Sequence, residues 1–240
     1  MSACGAEWGY ADSNGPHRWG QMNKEWAACD SGHTQSPIRI TQSRYSPMTM
    51  RLQYGDFPIA VQNTGHELKV YPLAEAYAAD VDAAGATNNL KLIQFHFHVP
   101  AEHLIGDETR AAGELHLVHE NRFKETVVVA VLIQSQPNDN PAIAALLREI
   151  PAACTSVKAD SFGGMEDLLP KDRSKFYLYT GSLTTPPCSQ PVFFFVMRNP
   201  IGASAAQLGK LAISPLPRGN YRPTQPTGMM RDLLVQRSFQ

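Results

Sequence analysis

The sequence predicts a mainly β protein of the α+β class, built on a mostly antiparallel sheet. Three observations carry this. Many short stretches alternate apolar and polar residues one by one, the period of a strand with one buried face. Glycine and proline punctuate these stretches, with 17 and 18 copies. Few stretches show helical spacing, and those are short. On these grounds alone a sandwich and a barrel are equally open. At 240 residues the chain is long enough to bury a substantial core. It contains no internal repeat, linker or low-complexity stretch, so 1–240 is read as a single domain.

The elements follow in order. Residues 1–37 are rich in Gly, Pro, Ser and Asn and hold Trp8, Trp19 and Trp26. They read as an irregular arm packed on the domain, with a short helix over 23–28. Strand patterns occupy 51–54, 59–63, 67–71 and 89–95. A polar connection over 104–113, with Gly106 and Gly113, leads to strand patterns at 114–120 and 126–134. Apolar residues at 143, 146, 147 and 150 have helical spacing, and Pro141 suits the first helical position. Strands at 176–179 and 192–197 follow. A short helix over 204–211 has Ser204 as its N-cap. The tail from Ser214 is proline-punctuated and is expected to wrap the surface.

Composition excludes several classes of function. The 21 basic and 22 acidic residues give a net charge of −1. No basic run suggests nucleic acid, and no charge block suggests an interaction tail. The longest apolar runs, 126–133 and 192–197, are far shorter than the roughly 20 residues of a membrane helix. The N-terminus lacks the charged and apolar pattern of a signal peptide. Four cysteines, Cys4, Cys29, Cys154 and Cys188, admit three full pairings. None lies in a Cys-x-x-Cys pair, which argues against a thiolate metal site.

The chemistry concentrates in two alternating stretches, Gln94-Phe95-His96-Phe97-His98-Val99 and Glu114-Leu115-His116-Leu117-Val118-His119. In the first, Gln94, His96 and His98 share one face while Phe95, Phe97 and Val99 point into a core. In the second, Glu114, His116 and Val118 share a face, with Leu115, Leu117 and His119 opposite. Laid side by side, the strands bring His96, His98 and His116 together. Three neutral histidines with one open position form the ligand set of a catalytic zinc site. His-x-His on a strand sets the two rings about 7 Å apart at the backbone, a span that converging side chains close onto one ion. Gln94 and Glu114, each two residues before a ligand, supply acceptors for the second ring nitrogens.

These stretches, together with Leu92-Ile93 before the first and Gly181-Ser182-Leu183-Thr184-Thr185-Pro186-Pro187 later, closely resemble the α-class carbonic anhydrases, in particular the bacterial and secreted type. The resemblance runs from Trp8 to about Phe239. It implies a central, strongly twisted sheet of about ten strands with short peripheral helices. It also implies zinc-dependent, reversible hydration of carbon dioxide to bicarbonate and a proton, in which hydroxide generated at zinc attacks CO2. Weak esterase activity is expected on the side.

The resemblance further assigns roles. Thr184 and Glu102 match the pair that orients the hydroxide. A carboxylate only accepts hydrogen bonds, so Thr184 must give its proton to Glu102 and accept from the zinc ligand, which also explains inhibition by sulfonamides, whose bound anion keeps a proton; small anions are expected inhibitors as well. His66, in Asn63-Thr64-Gly65-His66-Glu67, matches the proton shuttle, a role suited to an imidazole pKa near 6.5. Tyr10 matches an aromatic that looks into the active-site cone near Thr184. Gln94 and Glu114 match the groups that hold His96 and His116, and Asn220 the carbonyl that holds His98. His103 and His119 read as structural. Val118, Val131, Leu183, Thr185 and Phe194 match the substrate pocket, with Phe194 standing where the family commonly has tryptophan. Lys69 departs from a neutral polar residue and is expected to lower the His66 pKa by like-charge repulsion.

The resemblance favours a Cys29–Cys188 disulfide, which implies an oxidising compartment, periplasmic or extracellular; Cys4 and Cys154 are left open. Bacterial members are often dimers, so a homodimer is admitted. Two other readings stand beside the enzyme. A non-catalytic binding protein on the same fold typically lacks a zinc histidine, and all three are present here. A zinc hydrolase for bulky esters is opposed by the small apolar pocket.

Overall fold

The computed structural model describes residues 4, 8–41, 44–45, 49–75, 77–83, 86–213, 219–227 and 234–235. Strand β1 (Arg39–Ile40) is followed by β2 (Arg44–Tyr45), β3 (Thr49–Leu52), β4 (Phe57–Asn63), β5 (Leu68–Pro72), β6 (Tyr77–Ala83) and β7 (Ala86–His98). Then come β8 (Leu104–Ile105), β9 (Gly113–Glu120), β10 (Thr126–Gln136), β11 (Ser156–Phe162), β12 (Phe176–Gly181), β13 (Val192–Ser204) and β14 (Leu234–Val235). Twelve of these form one sheet, whose main path runs β11-β4-β5-β7-β9-β10-β13-β12-β14-β2. Strands β6 and β3 extend it beside the first half of β7. The expected ten or so strands are thus the main path, and two more branch from it. Pairing is antiparallel except at β10–β13 and β14–β2. Strands β1 and β8 form a separate parallel pair.

The sheet centre follows directly from the alternation. In β7 and β9 the register sets His96 opposite His116 and Phe95 opposite Leu117. In β9 and β10 it sets Ala130 opposite His116 and Val128 opposite Val118. Cross-strand partners share a face. One face therefore carries Phe95, Phe97, Leu115, Leu117, Val127, Val129, Val131 and Ile133, all buried in the main core with Ile143, Leu146 and Met165. The other carries the histidines and a smaller apolar cluster of Ile38, Val128, Ala130, Phe194 and Val196, with Val118 and Leu183 against it.

Val131 is therefore not a pocket residue. It lies opposite Leu115 and faces the main core; Val128, on the histidine face, stands where a wall was expected.

Two of the three expected helices differ from the sequence pattern. Helix α3 spans Pro141–Leu146, with Asn140 as N-cap accepting from Ala142 N and Ile143 N. It stops before Ile150 because a residue preceding proline, here Pro151, is turned away from the helical region. The continuous helix expected over 23–28 is broken. Helix α1 (Trp19–Met22) ends at the extended Asn23, whose side chain then caps a 3-10 turn over Lys24–Trp26, and α2 (Ala28–Ser31) follows. Helix α4 (Ala205–Leu211) carries the Ser204 N-cap, completed as a capping box by Gln207. Residues 214–218, 228–233 and 236–240 of the tail lie outside the described residues.

Two disulfides fasten the arm. Cys29–Cys188 joins α2 to the loop after β12, and Cys4–Cys154 joins the N-terminal segment to the loop before β11. Trp19 is fully buried and its indole N–H donates to Gly9 O and Asn14 O. Arg222, also buried, donates to Gln35 Oε1, Ser36 O and Cys29 O.

Candidate metal centre

His96 and His98 come from β7 and His116 from β9, and all three rings are buried. Their outer nitrogens are each held by an acceptor. His96 Nδ1 donates to Gln94 Oε1 at 2.8 Å, and His98 Nδ1 donates to the Asn220 carbonyl at 2.7 Å. His116 Nε2 donates to Glu114 Oε1 at 2.8 Å. These partners fix the tautomers, because an amide oxygen, a carbonyl and a carboxylate can only accept. Each ring then turns a bare nitrogen inward: Nε2 of His96, Nε2 of His98 and Nδ1 of His116. One donor atom from each ring lies within 4.8 Å of the others. His96 Nε2 and His98 Nε2 are 3.1 Å apart.

Two lone pairs at that distance repel unless a cation lies between them. A tetrahedral zinc with Zn–N bonds of 2.0–2.1 Å sets its nitrogens about 3.4 Å apart. The donor set, its spacing and its tautomers therefore fit zinc. A second group of close donors, His103, Glu114 and His116, is a closed hydrogen-bond network instead. Glu114 Oε1 accepts from His103 Nδ1 at 2.5 Å as well as from His116, and Oε2 accepts from the backbone N–H of Glu102 and of His103, both at 2.7 Å. Burial alone would raise the Glu114 pKa, but His103 and His116 outweigh it and hold the carboxyl well below the usual range. The Tyr179 hydroxyl continues the network, bridging His103 Nε2 at 2.6 Å and Ser36 Oγ at 2.9 Å.

The other expected residues gather round this centre with differing success. Glu102 is fully buried, its Oε1 accepting from Arg222 N at 2.7 Å. Its Oε2 has no hydrogen-bond partner and lies 3.4 Å from His98 Nε2. Thr184 is buried too, but no hydrogen bond joins it to Glu102 among the described residues. The loop that carries it is fixed by Ser36, which exchanges two bonds with Ser182, and by the Leu183 N–H donating to Ser189 O. Thr185 is half-buried, and its carbonyl accepts from Cys188 N.

Phe194 stacks on Tyr179 at 5.1 Å and stands 5.8 Å from the His116 ring. Tyr10 is buried edge-on to Trp19. Its ionisation is opposed first by burial and then by the charges of Glu102 and Glu67. His66 is only 6% exposed, its ring stacked on Trp8 at 4.3 Å and its Nε2 without a partner. Burial is the main cause of its lowered pKa; Glu67 opposes that shift and Lys69 adds to it, the effect expected of the lysine. His119 faces away, with its Nε2 2.8 Å from the Tyr54 hydroxyl.

Sequence reasoning did not single out Val128, Arg222 or Glu67. The alternation of β10 would have revealed Val128 once the register was known. Arg222 sits beside Asn220 in the matched motif. Glu67 follows His66 and gave no signal beyond its charge.

Set against known proteins, residues 14–233 match the family model described as eukaryotic-type carbonic anhydrase. A carbonic anhydrase from Klebsiella pneumoniae is 34% identical over 225 residues, covering 92% of this chain and 88% of that protein. The structure of the α-carbonic anhydrase from Thermovibrio ammonificans in complex with the inhibitor sulfanilamide superposes with a TM-score of 0.81 at 32% identity, covering 97% of this chain and 100% of the other. Dioscorin complexed with ascorbate superposes with a TM-score of 0.83 at 27% identity, covering 96% and 98%.

Two predictions follow from this geometry. Gly219 has φ +76°, and a Cβ there would run into the Val99 carbonyl and meet Pro100 Cδ at 2.8 Å. Gly219→Ala is therefore expected to displace Asn220 from His98, costing about 1–3 kcal/mol of stability and about 10–100-fold in zinc affinity; urea unfolding and metal competition measure both. Burial also lowers the His119 pKa from 6.5 to about 4. A depressed pKa means that the folded chain excludes the proton, so this stabilisation is complete above pH 6.5 and is lost as pH falls through 4. The difference amounts to about 3 kcal/mol. His96 and His116, lowered by burial, act in the same direction, and His98 acts in the opposite one. The metal-free protein should lose stability across this window, and His119→Gln should reduce the slope of urea midpoint against pH.

The family match, the triad and the sheet around it converge: the chain belongs to the α-carbonic anhydrase family.

Proposed function

We propose that this chain catalyses the reversible hydration of carbon dioxide to bicarbonate and a proton, with zinc held by His96 Nε2, His98 Nε2 and His116 Nδ1. The observation that carries this reading is the convergence of three bare ring nitrogens whose partners leave them no other state. When bound, zinc lowers the pKa of a coordinated water to about 7, a value taken over from carbonic anhydrases, and so supplies a hydroxide nucleophile at neutral pH.

The protein's own residues do the rest. Val118, Val128, Leu183 and Phe194 form an apolar wall suited to a small uncharged gas. The unpartnered Glu102 Oε2 accepts the Thr184 hydroxyl proton, which leaves Thr184 Oγ1 to accept from the nucleophile and turn its lone pair toward the substrate. Glu102 itself is held by the Arg222 N–H. His66 Nε2 carries the released proton outward, and its ring must leave the Trp8 stack to deliver it to bulk water. Sulfonamides that carry a donatable proton fit the same Thr184–Glu102 preference, whereas small anions without a proton would bind the open position without that hydrogen bond.

The chain acts as one domain, and its two disulfides suit an oxidising compartment outside the cytoplasm. Among the described residues no helix is long and apolar enough to cross a membrane.

Zinc content and stopped-flow CO2 hydration on two variants test the reading. His116→Ala should lose zinc and nearly all activity. Thr184→Ala should keep one zinc per chain and lose about 100-fold in kcat/KM, the typical effect of removing one group that orients a reacting centre. Full zinc in the first variant, or wild-type rates in the second, would refute the assignment.

A further inference from the structure

A second carboxylate stands beside the candidate metal centre. In the pairing of β5 with β7, Lys69 lies opposite His96. Cross-strand partners share a face, and residues two apart do so as well. Lys69 and Glu67 therefore both project on the histidine side. Glu67 is 5% exposed. Its Oε1 is held by Lys69 Nζ at 2.8 Å. Its Oε2 has no hydrogen-bond partner and lies 3.7 Å from His96 Nε2, the nitrogen turned toward the metal position. Glu67 belongs to neither group of close metal donors, so it borders the centre without joining its ligand set. Glu102 resembles it, with its own unpartnered Oε2 3.4 Å from a different ring nitrogen, His98 Nε2. The ion pair with Lys69 holds Glu67 in the wall, while its free oxygen leaves a hydrogen-bond acceptor and a negative charge beside the metal position.

We propose that Glu67 is a specificity-determining residue, which disfavours anions lacking a proton at the open metal position and leaves neutral CO2 unaffected. Lys69 sets the strength of this effect by partly neutralising the carboxylate. A ligand that carries a proton can donate it to Glu67 Oε2 and offset the repulsion. An aprotic anion has nothing to donate and meets the charge directly. The pair thus tunes which small ligands occupy the centre without taking part in binding the ion. This inference rests on the proposed metal centre.

The test is the Kd of azide, a small anion without a proton, read from the visible absorption of cobalt(II)-substituted protein in chloride-free buffer. Metal content is measured first. A wild-type chain that binds no metal overturns the proposed function itself, before any variant is made. With metal bound, Glu67→Gln should tighten azide about tenfold, the scale of one unit charge removed near a partly buried site. Lys69→Gln should act in the opposite direction and weaken azide several-fold. Opposite signs at unchanged metal content support the proposal. Azide affinity within twofold of wild type in both variants, or weakening in both alike, overturns it, since the latter marks a merely structural pair. If Glu67→Gln does not fold, Lys69→Gln decides alone: weakened azide binding supports the proposal, and unchanged or tighter binding overturns it.

Discussion

The buried Glu114 carboxylate is the interaction on which the rest of the site depends. Its two oxygens take four donors: two backbone N–H groups, His103 Nδ1 and His116 Nε2. A buried charge is costly unless it is fully hydrogen-bonded, and here it is. The same four bonds do three things at once. They fix the His116 tautomer so that Nδ1 faces the metal position. They pin the turn after β7, which places Glu102 next to His98. Through His103 and Tyr179 they tie that turn to Ser36 and hence to the loop that carries Thr184. A neutral residue in place of Glu114 would leave two backbone donors short of a charged acceptor and would free His116 to take the other tautomer.

Around this anchor the sheet separates two tasks. One face is largely apolar and holds the main core, with the buried His119–Tyr54 pair as a polar exception. The other face carries charge and imidazole, and it is closed by the arm instead of by a second layer of sheet. Arg222 stitches that closure. Its side chain holds the carbonyls of Cys29 and Ser36, while its backbone N–H holds Glu102. The Cys29–Cys188 bond acts at the same seam. The second disulfide, Cys4–Cys154, lies next to Asn63, whose backbone bonds Cys154 and Thr155 and whose side chain holds Pro151 O and Gly65 N. The turn that presents His66 is thereby braced from the arm side, and Trp8 lies over its ring.

Much of this was legible in the sequence, and the exceptions have physical causes. The triad could be read because strand alternation is a property of the chain itself. Gln94 and Glu114 could be read because they share the ligand face at a spacing of two. Val131 is assigned to the pocket by its match to the family, and the register between strands, which alternation alone does not give, puts it in the main core instead. The turn between β9 and β10 sets the register, with the Asn121 side chain capping it and Lys124 at φ +66°, and it brings even-numbered residues to the histidine face. Strands β6 and β11 were not foreseen. Their alanines, aspartates and serines have low strand propensity, and pairing with β7 and β4 overrides it. The arm helix was misread because Asn23 favours a cap over a helix interior. Glu67 escaped notice because a charge next to a turn is usually solvated, and only the fold shows that it is buried against His96.

The central claim is that the fold presents two Nε2 atoms and one Nδ1 to a single zinc ion. A crystal structure of zinc-loaded protein, with an anomalous difference map at the zinc edge, tests it most directly. The account predicts one strong peak about 2.0–2.1 Å from His96 Nε2, His98 Nε2 and His116 Nδ1. A peak between His103, Glu114 and His116, or no peak in fully loaded crystals, would contradict it.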